Sequence, residues 1–225
     1  MTALLKEMPS HIVQGDDDFT YKVFYRACGF VLEIGVKPPS ELGFGTMVWD
    51  AALGLCQYFE EQRMRFSQRK VIELGAGTGI LGILTVLLGG DVTITDKPEL
   101  LKRIERNVSV NIPSSCRPRV KVCALSWGDD HTLFPSDYDF ILGGDIMYSR
   151  ASVPLILKTL QHLSNERTII YFASTMWINR NLISSGYQTL SQYFDSDLVY
   201  RNKDKYVNVY RMTKKTPSDG DRVVP

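Results

Sequence analysis

The chain reads as an α/β fold: a mostly parallel sheet with helices on both faces, a β-hairpin in front, and an antiparallel strand pair at its C-terminal end. Three patterns carry that reading. From Asp50 to Ala173 short apolar runs alternate with helix-period stretches, as in a parallel sheet whose crossovers cover both faces. Before them, Tyr21, Val23 and Tyr25 alternate, and so do Phe30, Leu32 and Ile34 after the break at Ala27-Cys28-Gly29, which predicts the hairpin. After them, Leu198–Tyr200 and Tyr206–Arg211 flank the polar Asn202-Lys203-Asp204, which predicts the antiparallel pair.

The elements follow in order. Asp50 to Gln62 is a helix, because Ala52, Leu55, Cys56 and Phe59 fall on one apolar face. Val71–Leu74 is a short buried strand that runs into Gly75-Ala76-Gly77-Thr78-Gly79 and then an almost wholly apolar helix, Ile80 to Leu88. Asp91 to Thr95 is the next strand and ends on Asp96; Pro98 to Val110 is a helix with Leu101, Ile104 and Val108 inward. Val120, Val122 and Ala124 mark a third strand and Phe140–Leu142 a fourth. A helix with Val153, Ile156, Leu157 and Leu160 on one face follows, then a fifth strand from Thr168 to Ala173.

The 225 residues fit one domain, with 44% apolar and 23% charged residues excluding a disordered chain. The expected division is a flexible arm over 1–18, one domain over 19–212 whose first part (19–48) is hairpin and loop, and a disordered tail over 213–225. A net charge of +1 argues against bulk electrostatic binding of nucleic acid, and no apolar run is long enough for a membrane span. The N-terminal residues lack the apolar stretch of a secretory signal. Cys28, Cys56, Cys116 and Cys123 form no C-x-x-C pair, so reduced thiols, a cytoplasmic setting and no bound metal are expected.

The chemistry concentrates after two strands. Glycines at Gly75, Gly77 and Gly79 let the main chain turn tightly beneath a ligand, and Asp96, at the end of the next strand, offers a carboxylate to the two hydroxyls of a ribose. A nucleoside site follows, for a nicotinamide dinucleotide or for S-adenosylmethionine. Gly77 to Gly82 spells G-x-G-x-x-G and Tyr210 to Lys214 spells Y-x-x-x-K, the marks of a short-chain oxidoreductase. Their context is wrong: some 70 residues precede the loop, and Tyr210 lies in a strand, where residues four apart do not meet. Glu73, just before the loop, suits a positively charged sulfonium better than a pyrophosphate. Past the fourth strand, Gly143-Gly144-Asp145-Ile146-Met147-Tyr148 sits at the same sheet edge. Nucleobase amino-methylating enzymes carry two prolines there; Ile146 and Met147 replace them, which favours a flexible aliphatic amine as acceptor. Asp145 is then a group to orient that amine and Tyr148 a channel wall, the plain alternative being a strand end with a helix-capping Asp.

Trp49-Asp50-Ala51-Ala52, Val71–Gly79 with Thr93–Asp96, Leu125-Ser126-Trp127-Gly128 and Asp145-Ile146-Met147-Tyr148 together resemble the seven-β-strand protein-lysine methyltransferases of methyltransferase family 16. The likeness runs from about Phe24 to Arg211 and is greatest to the methyltransferase-like 21 branch, within it to enzymes acting on translation elongation factor 1-alpha. It implies a Rossmann-like seven-stranded methyltransferase sheet, S-adenosylmethionine as cofactor, and a monomer methylating a lysine of that factor. It also implies that Trp49 contacts the cofactor, that Gly75, Ala76 and Gly77 line its methionine and ribose, that Asp96 holds the ribose, and that Trp127 borders the adenine. Gly144 stands where the branch usually has Ala, and Thr175 to Tyr187 matches the branch poorly. A non-catalytic adaptor keeping the fold is the reading outside enzymes.

Overall fold

The computed structural model describes residues 21–37, 44–177 and 180–216. The expected arm over 1–18 and most of the expected tail lie outside them. Strands β1 (Tyr21–Ala27) and β2 (Phe30–Val36) form the hairpin as a separate two-stranded sheet. Seven further strands make the main sheet: β3 (Lys70–Glu73), β4 (Asp91–Asp96), β5 (Val120–Ala124), β6 (Phe140–Gly144), β7 (Ile169–Thr175), β8 (Phe194–Asn202) and β9 (Val207–Lys214). Their order is β5-β4-β3-β6-β7-β9-β8; the first five are parallel, and β9 runs antiparallel to both β7 and β8. The chain leaves β3 for β4 on one side and returns to β6 on the other, so a crevice opens at the carboxyl ends of β3 and β6.

Helices α1 (Asp50–Glu61), α2 (Ile80–Leu87) and α3 (Pro98–Asn111) cover one face together with the hairpin, while α4 (Ser152–Leu163) and α5 (Arg180–Leu190) cover the other. Strand residues alternate between the two cores: Val71 packs with α1 and α2, and Ile72 with α4. The helix α5 has no counterpart in the sequence reading. Its apolar positions, Leu182, Ile183, Tyr187 and Leu190, do repeat at helical spacing, but Ser184-Ser185-Gly186 between them are poor helix formers, so tertiary burial decides. The inward residue of α3 is Leu100 rather than Leu101, which is half-buried, and Leu157 of α4 is likewise half-buried. Strand β9 continues through Lys214, pairing Thr213 with Ile169, so the start of the tail moves past residue 213.

Two amide residues of α3, the buried Asn107 and the half-buried Asn111, fix the hairpin over the crevice. Asn107 accepts the Gly35 N–H at 2.9 Å through Oδ1 and donates through Nδ2 to Thr78 O at 2.9 Å. One turn later Asn111 accepts the Glu33 N–H at 2.8 Å and donates to Glu33 O at 2.7 Å. These amides satisfy alternate residues on the open edge of β2, which blunts that edge and ties it to the glycine loop.

Candidate active site

A cleft of about 850 Å³ opens at the carboxyl ends of the parallel strands, a size suited to a cofactor-scale ligand. Trp49, Glu73, Gly75, Ala76, Gly77, Asp96, Trp127, Gly144, Asp145 and Tyr148 all line it, so every residue the sequence nominated comes to one place. Lys97, Glu99, Thr175 and Ile183 line it as well, and the sequence reading named none of these four.

The floor is the loop between β3 and α2. Gly75 and Gly77 have φ of +61° and +57°, a region closed to most side chains. A Cβ on Gly75 would lie 2.8 Å from Trp127 Cζ2 and 2.9 Å from Ile146 Cγ2, so Trp127 stands directly over the bare backbone. Asp96 fixes the loop from β4: its Oδ2 accepts the Gly77 N–H at 2.6 Å and its Oδ1 the Lys97 N–H at 2.7 Å. A carboxylate has about four lone-pair sites, so about two remain for ligand hydroxyls. Glu73 is only 3% exposed, and its Oε2 accepts the Gly82 N–H of α2 at 2.9 Å, bracing the first turns of that helix behind the loop. Desolvation pushes the Glu73 carboxyl up to about 8, the Gly82 bond opposing and Asp96 adding repulsion. The Asp96 carboxyl is raised as well, chiefly by desolvation.

The opposite wall begins at Asp145, just past β6. Its backbone has φ +54°, which Asp tolerates better than most residues, and its N–H donates to Ala173 O at 2.9 Å. Its Oδ1 accepts the Thr175 N–H at 2.6 Å, its Oδ2 the Thr175 hydroxyl at 2.6 Å, and the carboxylate also takes the Ala51 N–H in the first turn of α1. Burial raises this carboxyl above the ordinary range, and these three bonds oppose the rise. Three of about four acceptor sites are used, leaving about one toward the cleft. Tyr148 is 63% exposed and tilts against Trp127 with ring centroids 6.0 Å apart, bridging the two walls. Gly144 packs under α1: a Cβ there would come 3.0 Å from Ala52 N, so the missing methyl admits a close helix approach.

The ligand's chemistry follows from the lining. Four carboxyl side chains, Glu73, Asp96, Glu99 and Asp145, face one cation, Lys97. A pyrophosphate would enter an acidic cleft; a nucleoside with a positively charged sulfur fits, with bare glycine backbone beneath it and free acceptor sites on Asp96. Tyr210 and Lys214 lie along β9 about 13 Å apart by strand rise. Tyr210 tilts against Tyr187 with ring centroids 3.9 Å apart while the Lys214 ammonium donates to Gln161 O and Ser164 O, so the Y-x-x-x-K spelling marks no site.

Residues 33–186 match the lysine methyltransferase family. The chain is 49% identical over 198 residues to EEF1A lysine methyltransferase 3 of Xenopus tropicalis, covering 88% of each chain. It is 46% identical to the protein of that name in Mus musculus, covering 90% of this chain and 87% of the other. Protein N-lysine methyltransferase METTL21A of Xenopus tropicalis is 40% identical over 76% of this chain and 78% of its own. Among solved structures, the methyltransferase domain of bacterial CtHen1-CN superposes with a TM-score of 0.54 at 14% identity, covering 72% of this chain and 96% of that one. That likeness concerns the fold alone.

Proposed function

The chain belongs to the lysine methyltransferase family, whose cofactor is S-adenosylmethionine, and on that footing we propose that it methylates a lysine of translation elongation factor 1-alpha through the cleft described above. The observation that carries the reading is the joint one: a cleft lined by four carboxyls and one cation, in a chain 49% identical to a relative named for this activity. When bound, S-adenosylmethionine supplies a methyl group on a positively charged sulfur.

The residues divide the work. Gly75, Ala76 and Gly77 give a floor on which the methionine and ribose lie, Asp96 accepts from the ribose hydroxyls, and Trp127 flanks the adenine, with Trp49 closing the N-terminal side. Glu73 braces α2 from behind the loop through its Oε2 and, once ionised, adds negative charge near the ligand. On the other wall Asp145 accepts a hydrogen bond from the incoming amine and sets its direction, while Tyr148 and Ile146 form the walls of its channel. The amine must arrive neutral; at an ordinary pKa near 10.4 that costs about 4 kcal/mol at pH 7.4. A channel of apolar walls beside a positive charge lowers this cost by desolvation and repulsion. Most of the acceleration is positional, since well-oriented reactants gain effective molarities of about 10⁵ M or more.

On this reading the enzyme works as a monomer in the cytoplasm, and a single domain carries the activity. Purified protein is incubated with isotopically labelled S-adenosylmethionine and purified elongation factor 1-alpha, and mass spectrometry locates the label. Label on one lysine is the expected result. A factor that stays unlabelled while the enzyme binds cofactor overturns the choice of acceptor.

A further inference from the structure

Among the described residues the three most exposed aromatic side chains are Trp177 (67%), Tyr148 (63%) and Tyr206 (62%), and all three stand at the carboxyl edge of the sheet. Tyr193, the next, is at the opposite edge, where β8 begins beside the end of β9. Large aromatic groups left in water beside a functional cleft mark a surface that another molecule covers.

Their placement is held by specific bonds. Thr175 grips the Asp145 carboxylate with both its N–H and its hydroxyl, and Trp177 follows two residues later, so its Cα lies within about 7 Å of that of Thr175. Between them, the Met176 N–H donates to Tyr206 O at 2.8 Å, joining the end of β7 to the turn between β8 and β9. Tyr206 has φ +53°, a left-handed conformation that an aromatic residue rarely adopts. Strain of this kind persists where neighbours over-determine it, here the antiparallel pairing of Val207 with Thr175 and Asn202 together with the Met176 bond. Arg150, Arg180 and Lys203 are exposed within three residues in sequence of Tyr148, Trp177 and Tyr206, against one exposed acid in the same stretches, Asp204.

We propose that Trp177 and Tyr206, flanked by Tyr148 and bordered by Arg150, Arg180 and Lys203, form the surface that reads the acceptor protein, and that it takes a segment with an apolar side chain next to the target lysine and carboxylates around it. The surface begins at the rim of the cleft: Tyr148 and Thr175 line it, Thr175 holds Asp145, and Trp177 stands two residues beyond Thr175. Apolar anchoring gives affinity, and the cations select an acidic surround and speed encounter. The inference rests on the protein acceptor proposed above.

The test is steady-state methylation of elongation factor 1-alpha, and in parallel of an extract of cells lacking the enzyme, by wild type, Trp177→Ala, Trp177→Phe, Tyr206→Ala and the remote exposed control Leu133→Ala. Cofactor affinity, measured by calorimetry, reports that each variant is folded. Trp177→Ala should raise KM for the protein by about tenfold with kcat and cofactor affinity unchanged, Trp177→Phe restoring most of the loss. Tyr206→Ala should raise KM less and Leu133→Ala not at all, while wild-type KM climbs with salt. An unchanged KM for Trp177→Ala overturns the surface, and a KM independent of salt overturns its acidic specificity. If the factor takes no label but another protein in the extract does, the choice of acceptor falls and the same variants are judged on that protein. If wild type binds cofactor and labels no protein, the surface falls too.

Discussion

The two walls of the cleft are built by opposite means. The wall proposed for the cofactor is centred on one stretch of chain, Gly75 to Gly79, with Asp96 on the adjacent strand gripping Gly77 at 2.6 Å. Main-chain atoms of Gly75, Ala76 and Gly77 form much of its surface. The acceptor wall gathers residues that are far apart in sequence, Ala51 of α1, Asp145 after β6, Thr175 at the end of β7 and Tyr206 before β9, and ends in exposed aromatic side chains. A ligand common to a whole family can be held by backbone shape, whereas a protein acceptor that differs between relatives has to be read by side chains.

The largest expected effect is at the cofactor wall. Gly75→Ala places a methyl in a left-handed position costing about 1–2 kcal/mol, and against Trp127, so calorimetry should detect no cofactor binding. At roughly 2–4 °C per kcal/mol for a chain of this size, its thermal midpoint should fall by about 2–8 °C. Binding retained at wild-type affinity would show that the loop does not form the floor. Next, Asp96→Ala should weaken cofactor binding by about 100-fold, since a charged acceptor bonded to two hydroxyls is removed. Asp145→Asn should leave cofactor affinity unchanged and lower kcat by about 100-fold through misplacement of the amine. Equal effects of these two changes on binding would erase the distinction between the walls.

Smaller effects sharpen it. Thr175→Val removes the hydroxyl bond to Asp145, which stabilises the charged carboxylate, so the Asp145 pKa should rise further. The ascending limb of the kcat–pH profile should shift to higher pH, and Thr175→Ser should restore its position. The smallest effect concerns Glu73, whose carboxyl is raised from 4.5 to about 8. Below about pH 8 the folded protein holds a proton there that the unfolded chain releases, so stability without ligand should fall as pH rises through that window. A cationic ligand favours the ionised form, so binding should expel that proton and affinity should rise with pH up to about 8. Calorimetry in two buffers of different ionisation enthalpy measures the proton released, and Glu73→Gln should abolish it.

The same contrast explains what the sequence reveals. Strand-helix alternation, the glycine run and the strand-terminal Asp96 and Asp145 are local signals that locate the sheet and the centre of the cleft, whereas Trp49 and the adenine-side place of Trp127 come with the family resemblance. Thr175 is invisible to such a reading because its importance lies in a contact made across 30 residues; its signal was its place at the end of the strand beside the one carrying Asp145. Asn107 and Asn111 look like interruptions of an apolar stripe until β2 is seen to lie against them. The role of Glu73 was read as a charge beside the ligand; its bond to Gly82 also makes it a brace for α2.

Single-turnover methyl transfer to the acceptor lysine, followed as cofactor concentration is raised, tests the division of the cleft most directly. Asp96→Ala should approach the wild-type rate once cofactor is in large excess, while Asp145→Asn should remain slow at every concentration. Recovery of Asp145→Asn at high cofactor, or a rate for Asp96→Ala that saturates far below wild type, would contradict the assignment of one wall to the cofactor and the other to the acceptor.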